Sequence, residues 1–570
     1  MRASARRYAL PAAVLVGAGL WLPAALGLRA GGAAEEEQAA AVQASTYDWL
    51  QFNGNPQHSG NNTAETALGP SNVASLQFLF QATLPSIADG APVYLASVST
   101  PGVVRDLLFV TTTAGHIVAL DAVTGAQVWS KQYGPGNCKI NNGSNACYTT
   151  SSPAIDPNRL YVYSYGLDGY VHKYQVGDGI EVTTGGWPEL VTLKGFNEKG
   201  GSALSFATSA DGTTYLYMLS GGYPGDGGDY QGHLTAINLA NGTQKVFNSL
   251  CSSHTVHFVQ APGTPDCNQV QSALWARAGA VYDDVTDRVY LATGNGLYNG
   301  NAGGLSWGDS VLAVKPDGTG SAGKPLDAYT PTNFQALQNA DADLGSSAPA
   351  ILPAPAFPGR LAMQAGKDAV LRLINLANLS GQGGPGFIGG ELQLLAVPQG
   401  GGVLTAPAVW VNPGHGTTWV FVANQSGISG LRLIFPSGVP TLEKRWQSAS
   451  GGTSPLVANN VLYYAASNVI RALEPLTGAP LWSDTAKVGG IHWQSPVVVN
   501  ATLYITDQAA HLTAYSLPPG SASPTPTVTA APPTSTPTRT PTNTATPRHP
   551  PTATPTLTPR HPAPVNVPRS

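Results

Sequence analysis

The sequence predicts an all-β chain, a ring of about eight small four-stranded antiparallel sheets, and three observations lead there. The first is the stretch LLFVTTTAGHIVALDAVTGAQVW, Leu107 to Trp129. It reads as apolar strands at 107–111 and 116–120 joined by a turn at Ala114–Gly115. A second turn at Thr124–Gly125 leads into a strand carrying Trp129. A meander of this size cannot bury both faces alone, so it should recur. The second observation is that it does. Ala119-x-Asp121-x-x-Thr124-Gly125-x-x-x-Trp129 returns with the same spacing as Ala472-x-Glu474-x-x-Thr477-Gly478-x-x-x-Trp482, and weaker copies surround Asp178-Gly179 and Asn241-Gly242. Glycine supplies the positive φ of a tight turn, the acidic or amide residue bonds the turn's own backbone, and tryptophan covers the neighbouring unit. The third is a small or hydroxyl residue before proline at the head of the units, as in Ser152-Pro153, Ala406-Pro407, Ser454-Pro455 and Ser495-Pro496. Proline at the first residue of a strand leaves the ladder intact.

Composition agrees. Charged residues make up 11% of the chain, against about a quarter in an average protein, and there are 66 Gly and 47 Pro. Few charges and many turn residues fit short strands and argue against long helices. A net charge of −4, with no basic cluster interleaved with aromatics, excludes a nucleic-acid partner. Residues 1–34 combine Arg2, Arg6 and Arg7, an apolar run from Tyr8 to Leu28 and small residues at 30–34. They read as an export signal, with cleavage preferred over an uncleaved anchor because Pro11, Pro23 and several glycines interrupt the run. Residues 35–46 form a linker. Four cysteines suit an oxidising compartment. Cys138 with Cys147 and Cys251 with Cys267 bracket short loops, and pairing neighbours in sequence is preferred to a metal or redox site.

The signature resembles the repeat of the pyrroloquinoline quinone (PQQ) β-propellers, the superfamily holding the quinoprotein alcohol dehydrogenases and non-catalytic scaffold relatives. The resemblance spans 47–517 and implies one eight-bladed propeller. Blades are expected near 95–133, 150–195, 201–250, 273–330, 345–399, 402–447, 452–483 and 490–517. The last repeat is one strand short, so the apolar run Leu76–Leu84 is expected to complete it and close the ring. Residues 518–570, rich in Pro and Thr and free of acidic side chains, cannot build a core and are expected to be disordered. The long insertions fall between Gly201 and Gly400, which is where loops are expected to carry function.

Three stretches resemble the active quinoproteins. Thr293-Gly294-Asn295 is similar to a segment whose Asn oxygen helps hold Ca²⁺ beside the quinone, with Trp275 where the family begins that blade. Asp341-x-Asp343 is similar to a segment whose first Asp is the general base on the substrate hydroxyl. Lys367 matches a hairpin lysine that points at the quinone, although Ala369 replaces the family's glycine. The plainer alternatives are a Gly-Asn turn with a core tryptophan, two solvated aspartates and a solvated lysine. The adjacent cysteine pair of many family dehydrogenases is missing. No clear acidic ligand for a cation stands in the corresponding blade, where Asp226 and Asp229 are candidates, and no C-x-x-C-H haem motif is present.

The function read from this is an exported, cell-surface or periplasmic monomer that binds a protein or polymer through its loops without catalysis and without a certain cofactor. The alternative is a PQQ- and Ca²⁺-dependent alcohol dehydrogenase with a separate electron acceptor.

Overall fold

In the computed structural model, which describes residues 47–134, 147–223, 226–259 and 266–520, eight antiparallel sheets follow one another along the chain. The first blade comprises Val93–Thr100, Val103–Thr111, His116–Asp121 and Gln127–Gln132. Blades 2 to 7 repeat the plan over strands lying between Ala154 and Asp484. Gln77–Thr83 pairs antiparallel with His511–Ser516, so the eighth blade takes its outer strand from the N-terminal side of the ring, as the sequence predicts. The expected export segment and linker, and the tail beyond 520, lie outside the described residues, as does Cys138. Cys147 is disulfide-bonded, and Cys251 pairs with Cys267. Among the described residues no helix is long and apolar enough to cross a membrane.

Each signature position has a visible task. Asp121 Oδ1 accepts the amides of Val123 and Thr124 (3.0 and 2.9 Å), Gly125 turns at φ 72°, and the strand pairing slips by one residue at Ala119/Leu120. That bulge turns Trp129 outward onto the next blade, where its Nε1 donates to Val176 O at 3.0 Å and its ring covers Gly179. A Cβ on Gly179 would meet the ring at 2.6 Å. The same lock recurs where Trp446 covers Gly478 and Trp482 Nε1 donates to Leu76 O. Trp129→Phe keeps a six-membered aromatic ring, removes the donation and leaves a buried carbonyl unpaired. It is expected to cost about 1–2 kcal/mol, read as a lower urea midpoint with unchanged m-value.

The lead-in does more than supply a strand. Residues 49–62 run across the open edges of the innermost strands and satisfy amides that no sheet neighbour reaches. Ile155 N donates to Leu50 O, Tyr282 N to Pro56 O, Val409 N to Ser59 O and Val457 N to Gly60 O. Phe206 N donates to the Gln51 side chain. One segment thereby ties five blades at the centre of the ring.

Candidate active site

Residues from six of the eight blades meet around one cavity of ≈ 350 Å³, which only the centre of the ring allows. Trp275, Asn295, Asp341 and Lys367, the four residues singled out by resemblance, all line it. Asp226 joins them, whereas Asp229 pairs with Lys194 at 3.3 Å.

One wall is acidic. A seven-residue helix, Phe334–Ala340, ends at Asp341, whose left-handed backbone (φ 50°) turns the chain toward Asp343. The Asp341 side chain is 64% exposed and that of Asp343 only 5%. Asp343 Oδ1 accepts the Asn295 amide at 2.7 Å, and Asn295 Nδ2 donates to Asp226 Oδ2 at 3.0 Å. Burial raises the Asp343 pKa, opposed chiefly by Lys367, whose Nζ lies 2.6 Å from Asp343 Oδ2 and 3.2 Å from Asp341 Oδ1. The lysine's own pKa is raised: the two aspartates outweigh burial, the largest single influence, which lowers it. Ala369, in the hairpin after Lys367, adopts φ 60°. The backbone keeps the glycine-like conformation although the side chain has changed, at a cost of about 1–2 kcal/mol. Deeper, Asp309 is buried, holds the Leu344 amide at 3.0 Å and donates its own amide to Gly294 O.

The rest of the lining includes cationic and aromatic side chains. Lys199 and Arg277 line the cavity with Tyr148, Tyr223 and Trp493, and Trp493 meets Trp275 edge-on at 6.3 Å. Sequence reasoning missed these residues. A usable signal existed: Thr150, Leu404 and Trp493 each stand two residues before a small-residue-proline marker, and all three line the cavity.

Asp226, Asn295, Asp341 and Asp343 offer the hard oxygen donors that Ca²⁺-like cations take. Among the described residues no three His, Cys, Asp or Glu side chains group closely enough to hold a metal alone, so a bound ligand's oxygens would have to complete the shell.

Residues 49–321 match the family model described as PQQ: glucose/ethanol/alcohol dehydrogenase, β-propeller domain. Similar solved structures include a quinohemoprotein alcohol dehydrogenase of Pseudomonas putida, at 14% identity and TM-score 0.54, covering 82% of this chain and 80% of that one. A quinohemoprotein alcohol dehydrogenase of Comamonas testosteroni gives 15%, 0.54 and the same coverage. A europium-containing methanol dehydrogenase gives 14% and 0.56, covering 82% of this chain and 98% of that one. At these identities the structures speak for the fold alone. No curated protein matches. With its signature repeat and its eight blades, the chain is an eight-bladed β-propeller that matches the PQQ β-propeller family model over residues 49–321.

Proposed function

We propose that the chain is an exported alcohol dehydrogenase that uses a PQQ-type quinone and a hard cation. The observation that carries this reading is convergence: Trp275, Asn295, Asp341 and Lys367, drawn from two blades and from three segments that resemble the quinoproteins, line one cavity. The donor set fits the group. Aromatic rings and cationic side chains suit a flat polyanion, and Asp226, Asn295 and Asp343 suit the cation. Bound there, the quinone would supply the hydride acceptor.

The chain's own part is proton handling. Asp341 is the exposed carboxylate of the pair, so it is the one a substrate hydroxyl can reach and to which it can yield its proton. Lys367 fixes the orientation of that carboxylate, while Asp343, pinned by Lys367 and the Asn295 amide, holds the adjoining loops in place. Export is part of the same proposal. It is supported by the basic-then-apolar start of the sequence and by the Cys251–Cys267 disulfide.

One observation favours the non-catalytic reading: Lys367 already neutralises Asp341 and Asp343 from within the chain. Calorimetric titration of PQQ, alone and with Ca²⁺ or La³⁺, separates the two. The dehydrogenase reading expects cation-dependent binding, weakened at least tenfold in Asn295→Ala. It also expects alcohol-dependent dye reduction to fall by roughly 10²–10⁴ in Asp341→Asn with binding retained. Absence of binding at high micromolar PQQ in every arm would leave a propeller whose loops bind a protein or polymer partner.

A further inference from the structure

We propose that Lys199 and Arg277 form an anion-binding subsite in the wall of the central cavity, taking the carboxylate edge of a flat aromatic ligand. The proposal deepens the reading above and rests on it for the ligand being a quinone; the charge chemistry follows from the two side chains themselves.

Both cations are buried, Lys199 at 9% exposure and Arg277 at 2%. Arg277 spends its terminal nitrogens on backbone carbonyls, Nη1 on Thr150 O and Gly201 O at 2.9 and 3.1 Å and Nη2 on Asp89 O at 3.0 Å. Its Nε, also buried, has no partner among the described residues. Lys199 has no acceptor among the described residues. Its Nζ lies over the Tyr148 ring at 4.0 Å, with the Tyr223 ring at 5.3 Å. Two neighbouring cations removed from water with no carboxylate in ion-pair contact among the described residues, only Asp89 acting from farther off, are costly, and an anion entering the cavity relieves that cost.

The chain's own carboxylates are engaged elsewhere. Asp89 accepts from Gln494 Nε2 at 2.9 Å, His492 Nδ1 at 3.0 Å and Gln508 Nε2. Asp341 and Asp343 are held by Lys367, and Asp226 accepts from Asn295 and the Tyr230 hydroxyl. The unused positive charge therefore lies on one wall, beside Tyr148, Tyr223 and Trp493, whose rings favour a flat molecule.

The subsite has a built-in pH response. Burial, and then the adjacent Arg277, pull the Lys199 amine down to about 7, with Asp89 opposing. Tyr148 and Tyr223 are the other titratable neighbours, and His492, Asp226, Asp341, Asp343 and Lys367 line the same cavity. Anion binding should therefore strengthen as pH falls through neutrality and be accompanied by proton uptake.

The test uses quenching of tryptophan fluorescence by quinoline-2,4-dicarboxylate in the presence of a chelator, with its dimethyl ester as control, between about pH 6 and pH 9. The acid is expected to bind at least tenfold more tightly at the low end, and the ester not to bind. Lys199→Met should lose at least tenfold and flatten the pH profile; Lys199→Arg should keep the affinity and lose the pH dependence. Because the lysine is buried without an ion pair, Lys199→Met should also fold at least as stably as the parent. Equal binding of acid and ester, or a Lys199→Met profile matching the parent, would overturn the subsite. PQQ titrated in parallel separates the two readings. Lysine-dependent binding of the dicarboxylate without PQQ binding removes the dehydrogenase reading and keeps the subsite. PQQ binding unchanged in Lys199→Met does the reverse.

Discussion

Lys367→Met is expected to lose about 3–5 kcal/mol of folding stability in chelated buffer near pH 8 and to recover most of it on addition of Ca²⁺ or La³⁺. The loss comes almost entirely from one partner. Asp341 is 64% exposed, so its ion pair is screened by water and contributes little. Asp343 is 5% exposed, and without the ammonium at 2.6 Å its charge stays buried with only the Asn295 amide to stabilise it. Its pKa is already raised by burial, with Lys367 the main opposing influence, so removing the lysine raises it further. The sign follows. A raised folded-state pKa means stability that is present at low pH and lost as pH rises, so the deficit of the variant should shrink on acidification as the carboxyl takes up a proton. A hard cation placed among Asp343, Asn295 and Asp226 restores the missing positive charge. Thermal melts with and without cation across pH decide it, and a variant that cation leaves unchanged at pH 8 would show that these oxygens form no cation site.

The ring was legible because its information is local and repeated. Within a dozen residues, Asp121, Gly125 and Trp129 specify a turn, a bulge and the contact with the next blade, and a second copy at Glu474, Gly478 and Trp482 fixes the frame. The closing strand was legible from what the last repeat lacked. Half of the site was legible for a different reason: Asn295, Asp341 and Lys367 sit in segments that resemble the family's. The other half was not. Lys199, in FNEKGG, matches no motif, and Arg277 stands two residues after Trp275 at no motif position; both line the cavity only once the third and fourth blades are placed side by side. Nothing in a one-dimensional pattern marks a lysine as buried and unpaired. The task of residues 49–62 was hidden for a similar reason. They satisfy amides on five separate strands, and that demand is invisible until the strands are arranged around an axis.

Asp309→Asn is expected to make the protein several kcal/mol more stable than the parent at pH 8 while leaving the two alike near pH 4. Asp309 is 1% exposed; one carboxyl oxygen accepts the Leu344 amide at 3.0 Å and the other has no partner among the described residues. Burial, reinforced by Asp343 and Asp368, pushes its pKa up to about 8, against the pull of the Leu344 amide and Arg372. Because the folded-state value lies above the unfolded one, the stabilising contribution of the proton is complete below about pH 4. It drains away as pH climbs toward 8. At about 1.4 kcal/mol per pH unit the parent loses roughly 5 kcal/mol through this group alone over that window. Asparagine keeps an oxygen for the Leu344 amide and does not ionise, so its stability should lack this slope. Paired carboxylates elsewhere add stability over the same range in both proteins, so the difference between the two pH profiles is the quantity to measure. Coincident profiles would mean that the buried acid is not protonated. The consequence reaches the cavity because Asp309 joins its two acidic segments, donating its amide to Gly294 O and holding Leu344 one residue beyond Asp343. Both contacts survive ionisation, so what alkaline pH adds is a buried charge between Asn295's segment and Asp343's, and Asp309→Asn should extend the folded range, and ligand binding with it, to more alkaline pH than the parent tolerates.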